Sequence, residues 1–267
     1  MTRCAQTQIA YDRAGQGETI VLIHAGVADR RMWDQHWEAL TRTHDVVRVD
    51  LRGFGESTAH VPEGWTAYDD VAKTLAALGI ERAHLVGCSF GAGVAVELAL
   101  ADPRLAASLL LVSPGGVLFT ERMPELAAYV AAEDAALEAG DLTGAAEVNV
   151  RWWVDSPRRE PGEVPAEVRD AVRTMQLRVF EIGEDWEDLE GQLEPEAPGR
   201  YAEVSAPTCV LVGGLDLDVV LRTADEVTGG IAGARRVDWP DTAHLLPMER
   251  PTEFVDLLGA WVAENAG

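Results

Sequence analysis

His84-Leu85-Val86-Gly87-Cys88-Ser89-Phe90-Gly91 is the stretch whose reading decides the fold. His84 to Cys88 reads as a buried strand, and Ala92 to Ala101 as a helix of mostly small residues. Between them Gly87-Cys88-Ser89-Phe90-Gly91 fits the pattern G-x-S-x-G. A strand that enters a helix through so short a turn must bend sharply. The serine backbone is strained there, its hydroxyl is pushed out beyond the sheet, and the flanking glycines let neighbouring chains close in. The first N–H groups of the helix face outward at the same place and favour an anion.

Moving outward, short apolar runs alternate with helical patterns. Upstream lie a first strand at Thr7 to Tyr11, the buried strand Thr19 to His24, a helix at Arg30 to Arg42, a strand at Val46 to Leu51 and a helix at Thr66 to Leu78. Downstream comes the strand Ala107 to Ser113. Such alternation predicts right-handed crossovers, a mostly parallel sheet and the α/β class, with helices on both faces. From Val117 to about Arg200 the strand signal stops, and helices are expected at Pro124 to Ala139, Leu142 to Val154 and Pro165 to Phe180. Alternation resumes with the strand Thr208 to Val212, a helix near Val219 to Val227, the strand Arg235 to Trp239 and a helix at Thr252 to Val262. The expected organisation is a core of residues 1–116 and 201–267, with residues 117–200 inserted as a helical cap. Ligands of such sheets bind at the carboxyl ends of the strands, where a cap would roof the site.

Composition narrows the function. The chain has 267 residues and a formal charge of −23, with Lys73 as its single lysine. Nucleic-acid binding needs a basic surface, so DNA and RNA are not expected partners. An acidic surface also disfavours anionic membranes. Cys4, Cys88 and Cys209 have neither disulfide nor zinc-site spacing, and no metal or other cofactor is expected. The first fifteen residues hold no apolar signal region, and no apolar run approaches a membrane span, so a cytoplasmic location is expected.

A serine nucleophile needs a base. Of His24, His36, His44, His60, His84 and His244, only His244 lies in a loop between the last expected strand and the final helix. The orienting acid should follow the strand Thr208 to Val212, where Gly213-Gly214-Leu215-Asp216 sets Asp216 at the strand end. Asp218 competes, but fits better as the N-cap of the next helix. The order Ser89, Asp216, His244 is one that acyl-transfer enzymes use. Trp33, Trp152, Trp153 and Leu245 are candidates to line a substrate pocket, although each is also a candidate for packing.

With these residues in place, the chain resembles the α/β-hydrolase superfamily, in its group of small capped esterases and lactonases. The resemblance includes Asp50-Leu51-Arg52-Gly53-Phe54-Gly55-Glu56-Ser57, similar to the family's D-x-R-G-x-G-x-S loop, and Glu249-Arg250-Pro251 after the histidine. It implies an oxyanion hole made by the N–H groups of Gly26 and Phe90. The family's His-Gly becomes His24-Ala25-Gly26 here, which tests whether an alanine fits where the family's glycine can take positive φ. His24 and Arg52 are expected to be structural.

The resemblance also narrows the reaction. Related dehalogenases and epoxide hydrolases carry aspartate where Ser89 stands. Hydroxynitrile lyases use a lysine near the acid loop, far in sequence from Lys73. Carbon–carbon bond hydrolases usually place asparagine before the serine, where this chain has Cys88, and an arginine for the substrate carboxylate. Arg151, Arg158 and Arg159 could serve that purpose. The expected activity is hydrolysis of a small, mainly apolar ester or lactone through an acyl-enzyme. Acyl transfer, a tailoring step in biosynthesis and a non-catalytic ligand-binding role remain open.

Overall fold

The computed structural model describes residues 2–58, 64–183 and 190–267, so His60 lies outside the described residues. The strands are β1 (Thr2–Arg3), β2 (Ala10–Ala14), β3 (Thr19–Ile23), β4 (Asp45–Val49), β5 (Ala83–Cys88), β6 (Ala106–Val112), β7 (Thr208–Gly213) and β8 (Arg235–Trp239). They form one sheet in the order β1-β2-β4-β3-β5-β6-β7-β8. The pairs β1–β2 and β2–β4 are antiparallel, and the others are parallel. Every residue of β5, β6 and β7 is buried, which is why these strands are unbroken apolar runs. The first long strand lies three residues later than the sequence suggests. It is a polar strand, AYDRA, next to the two-residue edge strand β1, and its Arg13 pairs with Asp45 of β4, so apolarity marks it poorly.

The helices are α1 (Asp34–Thr41), α2 (Ala67–Ala77), α3 (Phe90–Ala101), α4 (Pro124–Glu138), α5 (Leu142–Asn149), α6 (Ala166–Ile182), α7 (Asp218–Gly230), α8 (Leu246–Glu249) and α9 (Pro251–Glu264). The chain steps one way from β3 to β4, then back across β3 to β5 and onward. Right-handed crossovers in opposite directions put α1 on one face and α2 and α3 on the other. In keeping with this, α1 packs on α9 and α2 on α3. Strand order reverses between β3 and β5, and a crevice opens beyond their carboxyl ends. Between β6 and β7 lie α4, α5, a π-helical turn at Val150–Asp155, and α6. No helix among the described residues is long and apolar enough to cross a membrane.

Candidate active site

Ser89 stands at the crevice, between β5 and α3, with φ +54° and ψ −115°. A residue with a side chain held there costs on the order of 1–3 kcal/mol. Neighbouring backbone holds it in place. Ser89 N–H donates to Val112 O at 2.9 Å, and Ser89 O accepts from Ala92 N–H at 2.9 Å and Gly115 N–H at 3.2 Å. A Cβ on Gly87 would lie 2.1 Å from Gly91 O, and one on Gly91 would lie 2.5 Å from Ile23 O. The two glycines of G-x-S-x-G are therefore a packing requirement of the turn.

The loop after β3 meets the start of α3. A Cβ on Gly26 would lie 3.5 Å from that of Phe90. Neither the Gly26 nor the Phe90 N–H has an acceptor among the described residues, which leaves two donors at this end of the crevice. Ala25 fits without strain, since neither it nor Gly26 has positive φ. His24 ties the loop down. Its Nδ1–H donates to Ala25 O at 2.8 Å, and its Nε2 accepts from Leu51 N–H at 2.9 Å. Burial pushes its pKa below the ordinary histidine value, so it stays neutral. From α6, Gln176 Nε2 donates to Gly26 O at 3.0 Å. Arg52 is bound to Asp70 at 2.7 Å and to Thr7 O at 2.8 Å.

Gly213 and Gly214 let the loops after β7 and β8 touch. A Cβ on Gly213 would lie 2.2 Å from Ala243 O, and one on Gly214 would lie 2.7 Å from Pro240 O. Leu215 N–H donates to Thr242 O at 3.0 Å. This contact sets His244 Nδ1 2.8 Å from Asp216 Oδ2, with both side chains 1% exposed. Asp216 Oδ1 accepts the Leu217 N–H at 2.8 Å. A carboxylate facing Nδ1 assigns the proton to that nitrogen and leaves a lone pair on Nε2. Asp218 is the first residue of α7; Leu217 occupies the N-cap position expected for Asp218. The Asp218 carboxylate is exposed and bound to Arg158 at 2.6 Å.

A cavity of about 430 Å³ opens above Ser89. Gly26 and Phe90 line it beside the serine, and Tyr129, Glu133 and Trp153 come from the helices between β6 and β7. Ser89 is half-buried, and its Oγ makes no hydrogen bond to His244 among the described residues. Trp153 bridges the two parts of the site, for it lines the cavity and its ring centroid lies 4.5 Å from that of His244. The other three candidates for the pocket lie elsewhere. Trp33, just before α1, is wholly buried, stacked 5.8 Å from Phe254 of α9 and edge-on to His36 of α1, so it packs where the two helices meet. Leu245 is wholly buried in the core. Trp152, next in sequence to Trp153, points around the π-helical turn and meets Tyr129 at 6.3 Å without lining the cavity.

The three candidate arginines are engaged away from the cavity. Arg151 donates to Ser156 O at 2.7 Å, and Arg158 binds Glu125 and Asp218. Arg159 forks onto Glu249 at 2.8 and 2.9 Å, with both side chains 7% exposed. Glu249 Oε1 also accepts the Ala243 N–H at 3.1 Å, so this pair joins the helical segment to the loop bearing His244. Nothing in the sequence signals a contact between residues so far apart. Tyr129, Glu133 and Gln176 were likewise beyond its reach, since they are ordinary helix residues, half-buried in α4 and buried in α6.

A model of the alpha/beta hydrolase family matches residues 20–257. Among solved structures, an esterase from Thermogutta terrifontis is 25% identical with a TM-score of 0.77, covering 97% of this chain and 94% of that one. Est816, described as an N-acyl homoserine lactone degrading enzyme, is 25% identical with a TM-score of 0.73, covering 96% and 97%. By sequence, 2-hydroxy-6-oxo-6-phenylhexa-2,4-dienoate hydrolase of Comamonas testosteroni is 33% identical over 116 residues, 41% of each protein. The chain spans 30% of the length of one curated relative it matches by sequence and 41% of another, well under two thirds of either. With the fold, the crevice and the match over most of its length in agreement, the chain belongs to the alpha/beta hydrolase family.

Proposed function

We propose that the protein is a serine hydrolase that cleaves a small, mainly apolar carboxylic ester or lactone through an acyl-enzyme. The observation that carries this reading is Ser89 at φ +54°, open to a cavity that also receives Gly26 and Phe90. In this reading Ser89 Oγ attacks the substrate carbonyl carbon and passes its proton to His244 Nε2. The N–H groups of Gly26 and Phe90 stabilise the oxyanion, each contributing about 3 kcal/mol to the transition state. The intermediate then expels the alcohol, or the ring oxygen of a lactone, which takes the proton back from His244. Water, deprotonated by the same nitrogen, attacks the acyl group and releases the acid and Ser89. Asp216 stabilises the imidazolium at each proton transfer. The Ser89–His244 contact is one that tightens when substrate fills the cavity.

Residues 117–200 act in this reading as a cap that excludes water and selects the acyl group. Trp153→Ala should then raise KM for longer acyl esters more than it changes kcat on an acetate ester; equal losses on every ester would remove the cap from selection. The likeness to Est816 and to the Thermogutta terrifontis esterase supports lactones and esters as substrates. A carbon–carbon bond hydrolase with an arginine on the substrate carboxylate has less support, because Arg151, Arg158 and Arg159 are bound elsewhere. The decisive experiment is labelling by a serine-directed phosphonate, with rates on p-nitrophenyl esters and lactones. One label on Ser89 with parallel loss of turnover is expected. Turnover that survives full labelling would overturn the proposal.

A further inference from the structure

Leu126, Tyr129 and Glu133 recur at spacings of three and four, so they share one face of α4, and all three line the cavity. A carboxylate on this face is unexpected, since burying a charge without a partner is costly. Its surroundings are organised. The Tyr129 hydroxyl lies 2.9 Å from Glu133 Oε1 and 2.9 Å from Asn149 Oδ1. Asn149 Nδ2 donates to Glu133 Oε1 and, at 3.1 Å, to Ala145 O. Both contacts fall on Oε1; Oε2 makes no hydrogen bond among the described residues. Burial pushes the Glu133 carboxyl above its ordinary pKa, and the bonds from Asn149 and Tyr129 oppose that rise only in part. No arginine, lysine or histidine lines the cavity among the described residues, and Glu190 adds a second carboxylate to its lining. A ligand carboxylate would be repelled here, whereas a ligand cation would supply the counter-charge that Glu133 lacks.

We propose that Glu133, oriented by Tyr129 and Asn149, selects substrates that carry a protonated amine, which Glu133 Oε2 accepts in a charge-assisted hydrogen bond. The inference rests on the reading of this cavity as the substrate site. It is testable without turnover. Calorimetry on the Ser89→Ala protein would compare alkylammonium ions with alkanols and alkanoates of equal length. The ammonium ion should bind tighter than the alcohol by roughly tenfold or more, and the alkanoate weakest. Adding Glu133→Gln should abolish the ammonium preference, with folding checked by thermal unfolding. If that variant does not fold, Glu133→Asp, which keeps the charge but shortens its reach, should cut the preference. Equal affinity for ammonium and alcohol, or a preference that survives loss of the carboxylate, would overturn the inference. Failure of wild-type ester turnover would overturn the proposed reaction and leave the calorimetric result standing.

Discussion

α3 and α4 are both alanine-rich helices that border one cavity, yet they are held in opposite ways. Nine of the twelve residues of α3 are buried, whereas none of the fifteen in α4 is. The first begins at the Ser89 turn and is clamped between sheet and neighbours. The second rests on α5 by one side and gives Tyr129 and Glu133 to the cavity. The difference teaches where each task can reside. Groups that must meet reacting atoms within a fraction of an ångström belong on fixed backbone. A wall that tells substrates apart tolerates looser support, and local stability is lowest where buried apolar contacts are few.

The largest test is Ser89→Ala. Ester turnover should fall by as much as ~10⁶-fold while the unfolding midpoint stays close to wild type. Persistent turnover would move the chemistry away from α3. Next is the acid. Asp216→Asn should lower kcat by about 10⁴-fold, because the imidazole loses its orienting charge. Asp218→Asn should leave kcat nearly unchanged and shift stability by about 0–1 kcal/mol, since its ion pair is exposed. An inactive Asp218 variant beside an active Asp216 variant would reverse the assignment.

A single methyl group sharpens the contrast between the helices. Gly91→Ala would press on Ile23 O and His24 O, 2.5 and 2.6 Å from the new Cβ, and should cost about 1–3 kcal/mol in urea unfolding. Ala131→Ser, on the exposed side of α4, should stay within about 0.5 kcal/mol. Comparable losses at both sites would show that α4 is as tightly held as α3.

A further effect concerns the contact between α3 and the segment that precedes β7. Glu97 of α3 accepts the Leu193 N–H at 3.0 Å, and burial raises its pKa from 4.5 to about 6. The folded state therefore holds this proton more tightly than the unfolded state. The contribution of Glu97 to stability is fully present below the unfolded value of 4.5 and is lost as pH rises through about 6. Glu97→Gln keeps the acceptor and removes the charge. It should stabilise the protein by about 1–2 kcal/mol near pH 8 and by little near pH 4. Equal stabilisation at both pH values would mean that the charge is not the cause.

Much of the frame was legible because its signals are local. β5 was expected at 84–88 and is found at Ala83–Cys88, and β7 was expected at 208–212 and is found at Thr208–Gly213. Buried parallel strands announce themselves as continuous apolar runs. β2 was misplaced because a polar strand is recognised by its pairing, and Thr7, just before it, is buried and hydrogen-bonded to Thr74. The tryptophans show the same limit from the other side. Trp33, Trp152 and Trp153 have one chemistry and three environments, and nothing adjacent to each in sequence separates them.

The sequence by itself determined the sheet class, the strained turn at Ser89 and the order in which Ser89, Asp216 and His244 follow one another. Each depends on backbone conformation and on residues close in the chain: two glycines around a serine, two glycines before an aspartate. Only the tertiary structure decided that Trp153 and Glu133 face the cavity, that Trp33 belongs to the core, and that Arg159 holds Glu249 behind the histidine loop. These outcomes depend on which distant surfaces pack together. A side chain's role follows from what lies across from it, and packing brings those partners together from positions with no local relation.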